Sequence, residues 1–221
     1  MKFNTLKPLF IIALLFAAAA TSAQSGAIYQ FSFNIDPLLT EYLKVEDKSR
    51  NWLPEYSESE TMPNQLIDSI KIKTEEAFAK KLNMPVKLCY HKNKKGKEIS
   101  SVGDFGNLEG LPTNTFNGAI NDCPQNSHYI YLGVQIYSSG GSSITMVSTK
   151  TKLKPRLQIT IKVVDENKNE IWKKSIAVND FSKIRSQTWY HNSVEVTKSE
   201  VLSPYDIYTM YLMGLDKLMK E

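Results

Sequence analysis

The alternation of apolar and polar residues between positions 129 and 178 constrains the fold more than any other feature of this chain. On the first segment, 129–137, the apolar positions that share one face are Ile130, Leu132, Val134 and Ile136. The same period of two returns over 157–163 and 171–178, with polar turns between the segments. This pattern indicates antiparallel strands with one face in a core and the other in water.

Two amphipathic helices flank this strand-rich block. Apolar residues recur at steps of three and four after Pro63, and a second such stripe follows Ser203 and Pro204, which suit the start of a helix. A strand over 27–35 and a shorter one over 86–90 precede the block. This order predicts an α+β fold: a two-layer sandwich with a mostly antiparallel sheet and both helices on one face.

The first 23 residues have the three parts of a secretory signal. Lys2 and Lys7 precede an apolar run of about 12 residues, and small residues close the run at 21–23. The run is shorter than the roughly 20 residues that span a bilayer, and no cysteine follows the cleavage region to carry a lipid. We therefore expect a signal peptide at 1–23 and a single α+β domain at 24–221, in the periplasm or the extracellular medium.

The charge balance argues against one broad class of partner. Residues 1–23 hold two lysines and no acidic residue, so 25 of the 27 basic residues stand against 23 acidic ones in the rest of the chain. Nucleic-acid binders need a concentrated basic face, and we therefore predict no nucleic-acid partner. No later stretch is long and apolar enough for a membrane-spanning helix, so we also predict no transmembrane segment in the mature chain.

Cys89 and Cys123, the two cysteines of the chain, allow several kinds of chemistry. In an oxidising compartment they can form one disulfide that closes a loop of about 35 residues. Alternatively they stay as buried thiols, join His91 and His128 as zinc ligands, or supply a thiolate beside a histidine. The spacings match no standard zinc motif, and a cysteine with a disulfide partner is a poor nucleophile. The disulfide is therefore the preferred prediction, and we predict no cofactor.

Two sets of residues are candidates for a binding surface. The first consists of Lys92, Lys94, Lys95 and Lys97, at the start of a long irregular loop over 92–127. These lysines can meet anionic headgroups, lipopolysaccharide or an acidic partner, although a solvated strand end has the same composition. The second set is the tyrosine row Tyr129, Tyr131 and Tyr137, which can form a binding platform or pack beneath a helix or loop.

The stretch from Leu157 to the closing helix resembles a known type of envelope domain. An alternating strand runs into Asp165, a polar turn and Glu170-Ile171-Trp172, and a second strand and an amphipathic helix follow. This order is similar to small secreted envelope proteins and lipoproteins of the DUF4136 type, and to the α/β amino-terminal domain of TolB. The resemblance implies an accessory or adaptor domain and brings no catalytic residues. The chain departs from the pattern by lacking a lipobox cysteine and by carrying the 92–127 loop.

The sequence lacks the common catalytic motifs. After residue 23 it contains no G-x-S-x-G, H-E-x-x-H, P-loop or G-x-G-x-x-G pattern. We predict a non-enzymatic exported protein that binds another protein or an envelope component. Two alternatives stay open: a secreted hydrolase or metal-dependent enzyme that uses Cys89, His91, Cys123 and His128, and a carrier of a small apolar ligand in a pocket between sheet and helices.

Overall fold

The computed structural model describes residues 24–40, 43–44, 55–56, 62–102, 108–145, 148–190 and 193–220. These residues contain three α-helices: α1 (Asn64–Leu82), α2 (Phe116–Asp122) and α3 (Pro204–Lys220). The strands are β1 (Gly26–Ile35), β2 (Leu43–Lys44), β3 (Glu55–Tyr56), β4 (Val86–Leu88), β5 (His91–Lys92), β6 (Glu98–Ile99), β7 (His128–Ser139), β8 (Ser142–Ile144), β9 (Ser148–Asp165), β10 (Glu170–Val178), β11 (Arg185–Tyr190) and β12 (Ser193–Ser199).

One eight-stranded sheet forms the centre of the fold. Its strand order is β12-β11-β9-β7-β1-β4, and β8 and β10 also pair with β9. The pairs of β9 with β7, β8, β10 and β11 are antiparallel, whereas β1 runs parallel to both of its neighbours, β7 and β4. The remaining short strands form two separate two-stranded sheets, β2–β3 and β5–β6, and the second of these is a hairpin. The predicted α+β class with a mainly antiparallel sheet is confirmed.

The long helices α1 and α3 cover one face of this sheet. Their buried residues join the apolar faces of β1, β7, β9 and β10 in one cluster, which we call the main core. Alternate residues of β7 and β9 lie in the main core with 0–1% of their surface exposed, namely Ile130, Leu132, Val134, Ile136, Leu157, Ile159, Ile161 and Val163. The period of two in the sequence therefore marks the buried face correctly.

Both long helices begin where their sequence signals predict, and α1 also has a defined end. Asn83 follows α1 in the left-handed conformation, with φ of 53°, and its backbone N–H donates to the carbonyl of Ala79. At the start of α3, the Asp206 backbone N–H donates to the Ser203 hydroxyl, and the Ser203 backbone N–H donates to the Asp206 carboxylate. These reciprocal bonds satisfy N–H groups that the first turn of a helix leaves without partners.

A β-bulge in β1 turns one aromatic side chain to the opposite face of the sheet. The pairing with β7 shifts between Ile28 and Gln30, so that Tyr29 is the extra residue. A strict period of two predicts Tyr29 on the same face as Phe31 and Phe33, but the bulge breaks that period. Tyr29 instead packs with a second buried cluster, the small core, made of Ala27, Cys89, Ala119, Tyr129 and Val164.

The 92–127 segment is more regular than the sequence indicates. It contains the β5–β6 hairpin and the helix α2, and α2 packs over the small core. The α2 helix has seven residues and includes Gly118, so its sequence offers little helical periodicity. Its start is nevertheless defined by Thr115, whose hydroxyl accepts a hydrogen bond from the Gly118 backbone N–H at 3.1 Å.

None of the helices in the described part of the chain is long and apolar enough to cross a membrane.

Candidate functional site

The sheet face opposite α1 and α3 is covered at one end and exposed along the rest of its length. At the covered end, α2 packs over Tyr29 and Tyr129. The remainder, which we call the open face, consists of Ser32, Asn34, Tyr131, Gly133, Gln135, Tyr137, Arg156, Gln158, Thr160, Lys162, Lys173 and Ser175, all exposed or half-buried. Four adjacent strands, β1, β7, β9 and β10, therefore present a continuous polar surface.

The side chains of the open face stand in rows across the four strands. Ser32 pairs with Gly133, Gly133 with Thr160, and Thr160 with Ser175. The Thr160 and Ser175 hydroxyl oxygens are 3.1 Å apart, and Gln158 Nε2 donates to the Ser175 hydroxyl at 3.4 Å. Hydroxyl and amide groups in such rows can donate to and accept from a ligand that lies flat on the sheet.

Tyr131 lies along the sheet beside the single glycine of these rows. A Cβ atom added to Gly133 would lie 3.2 Å from the Tyr131 hydroxyl oxygen and 3.4 Å from a carbon of its ring. The phenol therefore extends over the space that the glycine leaves. A half-buried tyrosine in this position offers part of an apolar ring and a hydroxyl group, which suits a wet binding surface.

The three tyrosines of the predicted row do not share one environment. Tyr131 and Tyr137 are half-buried on the open face, whereas Tyr129 is 1% exposed. The Phe116 ring of α2 packs edge-on against Tyr129 with ring centroids 5.5 Å apart, and burial raises the pKa of the Tyr129 hydroxyl. Tyr129 is thus a core residue and not part of the surface, because α2 covers its end of the strand.

Sequence reasoning missed a row of cations on β9. Lys150, Lys152, Lys154 and Arg156 occupy alternate positions, and the pairing of β9 with β7 and β8 keeps one register throughout. These four residues therefore share the face of Thr160 and Lys162. The signal was present in the sequence as Lys-Thr-Lys-Leu-Lys-Pro-Arg, which has the same period of two as the neighbouring apolar residues.

The predicted disulfide is present. Cys89 and Cys123 are bonded; they are 34 positions apart in the sequence, and their Cα atoms are 6.3 Å apart. The bridge joins the segment after β4 to the end of α2, and it therefore holds α2 on the sheet. Because the two sulfurs are bonded to each other, neither is available as a zinc ligand or as a thiolate nucleophile.

The two histidines considered with these cysteines lie in separate environments. His91 Nδ1 is 3.0 Å from Asp122 Oδ2, and the same oxygen accepts hydrogen bonds from the Asn114 side chain and the Lys92 backbone. Partial burial acts to raise the pKa of the Asp122 carboxyl, but the hydrogen bonds from Asn114 and His91 outweigh it and lower that pKa. His128 instead contacts the Ser127 hydroxyl at 2.8 Å.

Cys89 and His91 are two positions apart in the sequence, but no single strand carries both of them. The strand β4 ends at Leu88, and β5 begins at His91. Cys89 is 1% exposed in the small core, whereas His91 is exposed at the surface beside α2. The pairing of β4 with β1 stops at Ile28, immediately before the bulge, and this is where the strand ends.

The four predicted surface lysines lie on the β5–β6 hairpin. All four, Lys92, Lys94, Lys95 and Lys97, are exposed. The Asn93 side-chain oxygen accepts hydrogen bonds from the backbone N–H groups of Lys95 and Lys97, and this fixes the turn. The hairpin is therefore an ordered cationic tip, and its role in binding stays a prediction.

A cleft of about 260 Å³ opens at the outer edge of β1, beside the segment that follows β6. Its lining residues are Gln30, Phe31, Ser32, Phe33, Ser101, Val102, Leu108 and Thr113. It therefore lies at an edge of the sheet, and not in the interior between sheet and helices where a carrier of an apolar ligand was expected. His191, residues 103–107 and the predicted signal peptide at 1–23 lie outside the described residues.

Comparisons with known proteins identify no family for this chain. No protein-family model matches it, and no curated protein matches it. One solved structure that it resembles is named as a neuraminyllactose-binding hemagglutinin homolog from Helicobacter pylori. The sequence identity is 10%, the match covers 91% of this chain and 83% of that chain, and the TM-score is 0.40. A similarity this low supports no conclusion about the fold or the function of this chain. The resemblance to DUF4136-type proteins and to TolB stays a prediction.

Proposed function

We propose that this protein is exported and binds another protein or a component of the cell envelope through the open face of its sheet. The observation that carries the proposal is the contrast between the two faces: α1 and α3 bury one, while most of the other presents polar side chains on four adjacent strands. A sheet needs only one buried face to be stable, so the second face is free to carry a binding function.

The proposed export has two sources of support. Residues 1–23 have the basic start, apolar run and small-residue end of a secretory signal. The Cys89–Cys123 disulfide is of the kind that persists in oxidising compartments and is rare in the cytosol. Both features fit a periplasmic or extracellular site of action.

The chemistry of the open face supports binding more directly than catalysis. Its hydroxyl, amide and tyrosine side chains form a flat surface without a deep pocket around them, and extended partners are recognised by surfaces of this kind. The two histidines at the covered end are engaged with Asp122 and with Ser127. We therefore place the binding function on the open face and give His91 a positioning role at α2.

A photocrosslinking amino acid placed in the open face tests this function. Gln135 is an exposed residue at the centre of the face, and Glu76 is an exposed residue on the outer side of α1. We expect the crosslinker at position 135, expressed in the native host, to form a defined adduct with one envelope protein or envelope component. The matched crosslinker at position 76 should form none.

Two results would count against the proposed function. Equal adducts from positions 135 and 76 would mean that the open face has no special role. The second result is an absence of adducts at position 135 when the protein is recovered in the envelope fraction with its disulfide formed. It would mean that no partner occupies the open face.

A further inference from the structure

A long row of positive charge runs along β9, from the open face into the part of the strand that pairs with β8 and β11. Five alternate or near-alternate positions of β9 are cationic, namely Lys150, Lys152, Lys154, Arg156 and Lys162, and all lie on the same side of the strand. The twelve residue steps from Lys150 to Lys162 correspond to about 40 Å of extended strand. This length exceeds what a small ligand needs and fits a linear polymer.

The twelve residues that define the open face include no acidic side chain. Beside them, Lys162 Nζ lies 3.8 Å from Glu170 Oε2, and both side chains are about half exposed. Lys173 stands directly opposite Lys162 on the neighbouring strand. Like charges directly opposite each other destabilise a sheet. An anionic ligand bound between Lys162 and Lys173 would reduce this repulsion.

Arg156 adds a group suited to carboxylates. Its Nε atom is buried, and it has no hydrogen-bond acceptor among the described residues. The residue pairs with Tyr137 across the strands, in the middle of the cationic row. A guanidinium group presents its donors in a planar fork that matches a carboxylate with two parallel hydrogen bonds. A ligand carboxylate beside Arg156 would use the two terminal nitrogens of this fork, because the buried Nε is out of its reach.

The groups between the cations suit a sugar chain. Gln158 and Thr160 separate Arg156 from Lys162 along β9, and Gln135 and Ser175 flank them on β7 and β10. These neutral donors and acceptors match hydroxyl groups, and the accessible part of the half-buried Tyr131 ring can contact the apolar side of a sugar ring. A lipid surface would gain little from such a flat array of amides and hydroxyls.

We propose that the open face binds a linear anionic polysaccharide whose sugars carry carboxylate groups, with the chain lying along β9. This inference rests on the proposed function, because it names the partner class for the same face. Lys150, Lys152 and Lys154 hold one part of the polymer, Arg156 binds a carboxylate, and Lys162 with Lys173 holds the other end.

The test measures binding of polygalacturonate, a linear polymer of carboxylated sugars, to the purified oxidised protein. Uncharged dextran of similar length serves as the neutral probe. We expect saturable binding of polygalacturonate, weakening at least tenfold between 50 and 300 mM NaCl because salt screens exposed charges. Dextran should bind at least tenfold more weakly.

Matched charge variants locate the site. The variant Lys152→Gln/Lys162→Gln/Lys173→Gln removes three charges from the open face and the cationic row that continues it. The control Lys73→Gln/Lys80→Gln/Lys220→Gln removes three from α1 and α3, and all six lysines are exposed. We expect at least a tenfold loss of affinity in the first variant and less than a twofold change in the second. Arg156→Lys, which keeps the charge and loses the fork, should weaken binding severalfold.

Several outcomes would overturn the inference. They are failure of polygalacturonate to bind, equal binding of dextran, equal losses in the two triple variants, and binding only to vesicles that contain phosphatidylglycerol. The crosslinking result separates this inference from the proposed function. A specific adduct at position 135 without polygalacturonate binding would contradict the polysaccharide alone, whereas an absence of both would contradict both proposals.

Discussion

Two buried hydroxyl groups, those of Thr74 and Tyr211, join α1 to α3. Both residues are 0% exposed, and their oxygen atoms are 2.6 Å apart. The Thr74 hydroxyl donates to the Ile70 carbonyl at 2.6 Å, so it accepts from Tyr211. Burial raises the pKa of the Tyr211 hydroxyl well above its ordinary value, and it therefore remains a donor at neutral pH.

We predict that removing the acceptor of this hydrogen bond destabilises the protein more than removing its donor does. Thr74→Val leaves the Tyr211 hydroxyl buried without an acceptor, which should cost about 1–3 kcal/mol in the free energy of unfolding. Tyr211→Phe leaves Thr74 bonded to Ile70 and should cost about 0.5–1.5 kcal/mol. Urea denaturation of both variants and of the double variant measures this, and the double variant should lose less than the sum. Strict additivity would show that the two hydroxyls do not interact.

At the residue scale, the sequence predicts which side chains are buried better than it predicts which side chains contact each other. Thr74 falls on the same stripe as the buried apolar residues of α1, and Tyr211 falls on the corresponding stripe of α3, so their positions alone indicate burial. Their contact joins positions 137 residues apart, and no local pattern records such a distance. The pairing of His91 with Asp122 was missed for the same reason, since α2 was not predicted.

At the scale of elements, Gly214 determines how closely α3 approaches the sheet. A Cβ atom at this position would lie 2.3 Å from Leu157 Cδ2 and 2.8 Å from Ile159 Cδ1, both in the main core. The side chains of Leu157 and Ile159 are fully buried, so they have little space in which to move. The glycine is thus a packing requirement of the helix–sheet contact.

Gly214→Val should therefore destabilise the protein, although valine is the better helix former. Overpacking a tight core costs about 1–3 kcal/mol, which exceeds the few tenths of a kcal/mol that valine gains over glycine in a helix. The control is Met213→Val at the adjacent exposed position, which should change the free energy of unfolding by about 0.5 kcal/mol or less. Thermal and urea denaturation of both variants measure the difference, and a more stable Gly214→Val variant would contradict this account.

The elements themselves were predicted where the pattern was long and regular. The strands β7, β9 and β10 and the helices α1 and α3 each bury one side, and that burial imposes a period on the sequence. Two features departed from the prediction because their signals are local. The bulge at Tyr29 depends on one inserted residue, and α2 depends on a cap at Thr115 and on a disulfide at its end.

At the scale of the whole molecule, the Cys89–Cys123 disulfide restricts the unfolded chain. It closes a loop between residues 34 positions apart, for which the chain-entropy account gives about 3–4 kcal/mol. The same bond holds α2 over the small core, which otherwise has few residues to secure it. Loss of the bridge should therefore act on global stability and on α2 together.

We predict that Cys89→Ala/Cys123→Ala lowers the free energy of unfolding by about 3–4 kcal/mol. Backbone amides of α2 should also exchange with solvent faster than those of α3. Urea denaturation and hydrogen exchange measure the two effects. As a control, dithiothreitol should destabilise the native protein by a similar amount and leave the double variant unchanged. Equal stability of the native protein and the double variant would show that the bridge has no structural role.

The parallel pairing of β1 has a consequence for the time course of folding. β1 pairs with β4 only over Gly26–Ile28, and the rest of its length pairs with β7, which begins at His128, about 100 residues further along the chain. Because such a contact closes a long loop, it forms slowly. Until it forms, the segment Ile28–Ile35, which carries no charge, is open to pairing with other chains. The Asp36-Pro37 pair that follows it limits this hazard, because a charge and a proline both oppose further strand pairing.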